Sequence, residues 1–239
     1  MKKNVLVLAA LVAGACCFTA CDDLVEMDLV GHINLTTSNA TAGDQAYADG
    51  QTLNFKSALC NINIDTALLD AGTVMVGATQ SLVSNDVADI TFPLCGINLR
   101  DTVPGQYAIS CPVTDFSFFE YLNESNVNML ITRGLAIGDQ LGNLFAVAVS
   151  DTSFYLGYSG AVNITAFGTN PLSRVQGTVS NVEAIYLTAS GLEAIANMSA
   201  ADRANIDLTT YFPHITFNGD ISSIRSDIDA VMQALEDAE

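Results

Sequence analysis

The chain reads as mainly β: an antiparallel β-sandwich or barrel-like domain with one short helix and a C-terminal amphipathic helix. Three observations predict this. Valine, isoleucine, threonine and phenylalanine recur in short alternating runs, the period-two pattern of strands that bury one face and expose the other. Glycine, asparagine, aspartate and serine break those runs at intervals suited to turns. These residues either reach left-handed backbone conformations or hydrogen-bond their own main chain. Half of the residues are apolar and only 14% are charged, a balance that supplies a core and differs from that of disordered chains.

Taken in order, strands are expected over residues 25–37, 52–64, 73–78, 87–99, 107–113, 127–133, 144–156, 161–167, 174–179, 183–188 and 214–221, with polar loops at 38–50 and 80–86. Residues 115–123, carrying Phe116, Phe118, Phe119 and Tyr121, are a further candidate for a short helix. One hairpin has a readable register: Leu99 opposite Tyr107, Ile97 opposite Ile109 and Cys95 opposite Cys111, around a tip at 101–105 that contains Pro104 and Gly105. All six side chains then share one face, as alternation requires.

Two later segments look alike. Val162-Asn163-Ile164-Thr165 precedes Gln176-Gly177-Thr178-Val179-Ser180, and Ile206-Asp207-Leu208-Thr209 precedes Asn218-Gly219-Asp220-Ile221-Ser222. Each reads as strand, loop, then polar-Gly-polar-aliphatic-Ser. A glycine inside a strand marks a bulge or a close backbone approach. Duplication and chance likeness between two β segments both fit.

The short helix is expected over 191–198, around Leu192 and Ile195. The C-terminal helix is expected over about 223–237, where Ile224, Ile228, Val231, Met232 and Leu235 recur at helical spacing. Ser226 with Asp229 resembles a capping box, and Asp227 and Asp229 suit the positive end of the helix dipole. Glu236, Asp237 and Glu239 oppose the dipole at the other end, so the last turn should fray.

The first 20 residues have a different character. Lys2 and Lys3 precede an apolar run from Val5 to Ala15 and then small residues, the order of a secretory signal. The run is shorter than the ~20 residues a membrane-spanning helix needs. Three of the six cysteines, Cys16, Cys17 and Cys21, follow it. Phe18-Thr19-Ala20-Cys21 resembles a bacterial lipobox. Ala13-Gly14-Ala15-Cys16 is also lipobox-like but lacks the larger apolar residue three positions before the cysteine. Cys21 followed directly by Asp22-Asp23 is similar to the exported lipoproteins of Bacteroidetes. That resemblance implies cleavage, acylation at Cys21 and an address at the outer membrane or cell surface, with the periplasmic face of a membrane as the alternative. Residues 1–20 are thus read as a signal, 21–24 as an acidic tether, and 25–239 as a single β-rich domain. Asp22, Asp23, Glu26 and Asp28 suit both a solvated tether and the acidic stretch that in this group resembles a surface-export signal.

Charge narrows the partners. The net charge is −18, from 26 acidic and 8 basic residues. Cleavage removes Lys2 and Lys3 and no acidic residue, leaving Lys56 as the one lysine. Such a chain repels phosphate backbones and anionic headgroups, so nucleic acid is excluded and membrane association falls to the lipid.

Motifs for chemistry are sparse. His32 and His214 are the only histidines and both sit in strand-like runs. No metal-ligand spacing, P-loop or dinucleotide fingerprint occurs. Gly157-Tyr158-Ser159-Gly160 fails the hydrolase elbow because Ala161 replaces its second glycine. Carboxylates are abundant, yet nothing singles out a glycosidase pair. The chain is therefore expected to be no enzyme and to need no cofactor or metal. With no Trp and 7 Tyr, a sugar-stacking platform is not signalled, and Phe154, Tyr155 and Tyr158 are expected in the core or at its rim.

Two covalent features remain. Asp65-Thr66-Ala67 and Asp101-Thr102-Val103 resemble the O-glycosylation triplet of Bacteroidetes exported proteins, which marks Thr66 and Thr102 as candidate acceptors. Five N-x-S/T sequons, starting at Asn34, Asn39, Asn123, Asn163 and Asn197, read as solvated Asn-rich β surface. Export also places Cys60, Cys95 and Cys111 in an oxidising compartment. The hairpin register would bring the Cβ atoms of Cys95 and Cys111 to about 4.5–5.5 Å, near the ~3.5–4.5 Å that a bridge requires. A Cys95–Cys111 bridge, three free thiols and a bridge to Cys60 all stand open. Cys60, in phase with Ile62 and Ile64, is expected to be buried.

Four functions compete. The first is a non-catalytic surface binding or adhesion module, with an unknown protein or glycan as partner. The others are an assembly subunit resembling fimbrillin-type lipoproteins, a β-barrel carrier of an apolar ligand, and a secreted hydrolase.

Overall fold

A computed structural model of the chain describes residues 31–62, 73–78, 92–110, 143–150, 152–168, 173–203 and 205–225. Among these, ten strands join in one sheet: β1 (His32–Ser38), β2 (Thr52–Phe55), β3 (Ser57–Ile62), β4 (Thr73–Ala78), β5 (Leu94–Leu99), β6 (Gly105–Ala108), β7 (Leu144–Ala148), β8 (Ser153–Phe167), β9 (Arg174–Thr188) and β10 (His214–Arg225). Three short helices, α1 (Ala189–Ala196), α2 (Ala200–Arg203) and α3 (Leu208–Tyr211), lie between β9 and β10. The named strands pair antiparallel apart from one short contact, and the sheet curls into a half-barrel, so the mainly β, barrel-like class expected from the alternation is the class observed. Hydrogen-bonded neighbours run β3-β4-β5-β7-β8-β9-β10. The parallel pairs Ile224↔Leu59 and Arg225↔Cys60 then link β10 back to β3.

Alternation builds the inside. Ile33, Leu35, Phe55, Met75, Ile97, Phe145, Tyr155, Val162, Val182 and Phe217 are buried and pack as one cluster. Each fully buried side chain of this size contributes roughly 1.5–3 kcal/mol. Aromatic rings organise the centre: Tyr155 lies 4.7 Å from Tyr186 and 5.5 Å, edge-on, from Phe217, and Tyr47 stacks on it at 5.4 Å. The Tyr155 hydroxyl also accepts the Tyr47 N–H at 3.1 Å, which seats the β1–β2 loop against the core. Cys60 and Cys95 are both fully buried here, as expected for Cys60.

A second cluster lies on the opposite side of β8 and β9. There Leu156, Ile185 and Leu187 meet Ile195, Leu208 and Phe212 of the helical segment. Thr188 caps α1 by accepting the Gly191 N–H at 3.1 Å, and Asp207 caps α3 by accepting the Thr209 N–H at 3.0 Å. The helix expected over 191–198 is therefore found two residues earlier, where the threonine cap sets its start.

Several boundaries differ from expectation for physical reasons. The run 52–64 breaks at Lys56, and its halves pair with different partners: β2 with β1, β3 with β4 and β10. Gly31 permits this crossing, since a Cβ there would lie 2.1 Å from the Ala58 carbonyl oxygen. Within the run 87–99, residues 87–91 lie outside the described residues, and β5 starts at Leu94, after Pro93, which has no N–H for a ladder. Residues 144–156 form β7 and the start of β8, because Val149 and Ser150 donate back to the Ser153 carbonyl and close a turn.

Conversely, the breaks expected near 157–160 and 180–182 are bulges inside continuous strands. Gly160 (φ 95°) and Asn181 (φ 48°) take the left-handed conformations, and a Cβ at Gly160 would lie 2.2 Å from the Asn181 carbonyl oxygen. Bulges absorb such residues without ending a strand.

The hairpin joining 94–99 to 107–113 is not formed. β5 pairs with β4 and β7, setting Cys95 opposite Gly77 and Val147, while β6 pairs with β8, setting Tyr107 opposite Val162. The register that placed Cys95 opposite Cys111 falls with it. Cys95 is a free thiol and Cys111 lies outside the described residues. Ser223, Ile224 and Arg225 continue β10, so no helix starts at 223. The rest of the expected C-terminal helix, the strand at 127–133, the helical candidate at 115–123, the tether and residues 1–20 also lie outside the described residues.

Candidate binding face

The outer side of β6, β8, β9, β10, β1 and β2 is built by the same alternation that builds the core. On β1, buried Ile33, Leu35 and Thr37 alternate with His32, Asn34 and Thr36. On β9, buried Val175, Gly177 and Val179 alternate with Gln176, Thr178 and Ser180. β10 contributes Asn218 and Asp220, β8 Asn163 and Thr165, β6 Gln106, and β2 Thr52 and Asn54.

Register aligns these side chains into a row. Gln106 pairs with Asn163, Asn163 with Thr178, Thr178 with Asp220, Asp220 with Asn34, and Asn34 with Asn54. Directly paired residues project on one side of a sheet, so six polar side chains from six strands form a continuous line. Strands sit about 4.8 Å apart, so the line spans roughly 24 Å. His32, Ser222 and Gln176 form a second, shorter row beside it. Thr52, Thr36 and Asn218 flank it on the other side.

Hydrogen bonds hold parts of the face in place. The Asn34 amide donates to Asp220 Oδ2 at 3.0 Å, and His32 Nε2 lies 3.1 Å from the same oxygen. The Asn163 amide donates to Ser180 Oγ at 2.8 Å and to Thr178 Oγ1 at 3.4 Å. Arg174 Nη1 donates to Ser222 Oγ at 2.8 Å. In a chain of net charge −18, these three rows carry one carboxylate, Asp220.

The two look-alike segments are the centre of this face. Gln176–Ser180 and Asn218–Ser222 are hydrogen-bonded neighbours, with Gly219 opposite Val179 and Gly177 opposite Ile221. Both glycines mark close approaches. A Cβ at Gly219 would lie 1.8 Å from the Asn34 carbonyl oxygen, and one at Gly177 would lie 2.4 Å from that of Asn163. The likeness does not extend upstream: Val162–Thr165 is strand, whereas the expected strand at 206–209 is the capped start of α3.

Other candidates fall elsewhere. His214 is half-buried, with Nδ1 3.2 Å from the Thr209 carbonyl oxygen. Tyr155 is in the core, while Phe154 and Tyr158 pack at the rim of the outer cluster. Burial pushes the Tyr158 hydroxyl up to about 12, with a further contribution from Glu183 beside it. Thr102 lies in the loop between β5 and β6, half-buried, its N–H donating to Asp101 Oδ1 at 2.7 Å, with Val103 beside it 52% exposed. Cys21 and Thr66 lie outside the described residues. Among the described residues, no group of three or more His, Cys, Asp or Glu side chains is placed to hold a metal ion, and no helix is long and apolar enough to cross a membrane.

Sequence reading found the sequons at Asn34 and Asn163 as β surface but not the row. Its six members are scattered from Asn34 to Asp220, and only strand order brings them together. No protein-family model, curated protein or solved structure matches this chain.

Proposed function

We propose that this chain is an exported lipoprotein, acylated at Cys21 and held at the outer membrane or cell surface, that acts as a non-catalytic binding or adhesion module. The single observation behind the binding role is the row from Gln106 to Asn54. It offers amide and hydroxyl groups from five strands and a single carboxylate, Asp220, from the sixth. Amides and hydroxyls both donate and accept hydrogen bonds and drive no proton transfer near neutral pH. The signal-like first 20 residues and the lipobox-like Phe18-Thr19-Ala20-Cys21 support the address.

Two measurements test this reading. Cells fed labelled palmitate should acylate the wild-type chain, and Cys21→Ser should leave an uncleaved, unlabelled precursor. Normal labelling of that variant sinks the anchor assignment. Cells displaying the chain should adhere to a surface bearing its target, and Thr178→Lys at the middle of the row should abolish adherence at equal display. Adherence indifferent to Thr178→Lys removes the face from the function.

A further inference from the structure

We infer that the ligand of this face is a neutral, polyhydroxylated polymer, a glycan strand, lying across the strands along the Gln106–Asn54 row. This rests on the face being the binding surface and adds the chemistry of what binds.

The side chains select among ligand classes. Gln106 and Asn54 each present an amide with two donors and an acceptor, Asn34 and Asn163 donate N–H bonds within the face and offer their carbonyl oxygens as acceptors, and Thr178 presents a hydroxyl. A ligand rich in hydroxyls, which also donate and accept, can match every one of them. An anionic polymer calls for Lys or Arg; the row holds neither, Arg174 beside it is bonded to Ser222, and the chain carries a net charge of −18. A cationic ligand calls for carboxylates, and the row holds one, Asp220, already bonded by Asn34 and flanked by His32. A protein partner calls for a large aromatic or aliphatic anchor at the centre of the contact, and every member of the row is polar.

Geometry selects a polymer over a single sugar. The row is linear, spans about 24 Å, and lies perpendicular to the strands. Binding should therefore strengthen with ligand length. The internal bonds of Asn34 to Asp220 and Asn163 to Ser180 fix two amides before a ligand arrives, which lowers the entropy lost on binding.

Affinity electrophoresis of the full chain in detergent tests this, using neutral polysaccharides (starch, β-glucan, mannan) beside acidic ones (alginate, heparin). At least one neutral polymer should retard the protein and the acidic ones should not. Asn163→Ala should weaken retardation about three- to tenfold, the range expected for one lost hydrogen bond. Thr178→Lys should abolish it, and Glu193→Lys on exposed α1 should leave it unchanged. A panel with no neutral binder overturns the inference. If Thr178→Lys still abolishes adherence of displaying cells in that case, the face stands and the glycan falls. Neutral binding that survives Thr178→Lys removes both. A dimer in sedimentation that Thr178→Lys dissolves replaces the glycan with a second copy of the chain.

Discussion

Asn34 and Asp220, 186 residues apart in sequence, are direct cross-strand partners on β1 and β10, and the Asn34 amide donates to the Asp220 carboxylate at 3.0 Å. The bond lies on the outer face, while the neighbours of these residues, Ile33, Leu35 and Ile221, are buried beneath it. The two sides of one sheet therefore respond differently to substitution.

Asp220→Ala should cost less than about 1 kcal/mol of stability, because the His32–Asp220 pair is solvent-exposed and such pairs contribute little. Phe217→Ala, three residues earlier and fully buried, should cost about 3–5 kcal/mol. Urea denaturation of both variants checks the contrast. An Asp220→Ala loss equal to that of Phe217→Ala would show the outer network to be structural.

Glycines with and without close neighbours should separate cleanly. Gly219→Ala places a Cβ 1.8 Å from the Asn34 carbonyl oxygen, and backbone cannot yield as a side chain can. The expected cost is about 1–3 kcal/mol or more. Gly96→Ala meets no atom within 4 Å, so it should be neutral or stabilise by about 0.4–1 kcal/mol through the unfolded chain. Thermal melts of the two variants suffice, and a tolerated Gly219→Ala contradicts the close approach.

Tyrosine burial predicts weakness in alkali. Desolvation pushes the Tyr47, Tyr155 and Tyr158 hydroxyls up to about 12, above the ordinary value of about 10. The unfolded chain thus releases these protons first. Stability from keeping the phenols neutral is full below about pH 10 and is lost as pH rises toward 12. Denaturation midpoints should be flat below that window and fall through it. Tyr155→Phe should flatten part of the fall and cost about 1 kcal/mol at neutral pH for the lost bond to the Tyr47 N–H. A midpoint unchanged to pH 12 refutes the argument.

Cys95 should resist modification. It is fully buried, and burial pushes its thiol well above the ordinary range, so little thiolate forms. An aromatic disulfide reagent should leave Cys95 unlabelled in the native protein and label it in guanidinium, read by peptide mass spectrometry. A peptide joining Cys95 to Cys111 would contradict the free thiol.

Alternation along the chain determined the mainly β class, the bounds of β4 at Thr73 and Ala78, and the burial of Cys60. It also marked Gly177 and Gly219 as close approaches inside strands. These depend on contacts within a few residues: a side chain's period with its neighbours, or a missing Cβ. Tertiary structure decided which strands pair. The pairing of Cys95 with Cys111 assumed that consecutive strands are neighbours, but β5 takes β4 and β7, and β6 crosses to β8. A strand's alternation states that one face is buried and not which partner buries it. It equally says nothing of which polar face meets which. The row from Gln106 to Asn54 therefore exists only once β2, β1, β10, β9, β8 and β6 lie side by side in one register. A slip of one residue in any pair would turn that strand's amides and hydroxyls into the core.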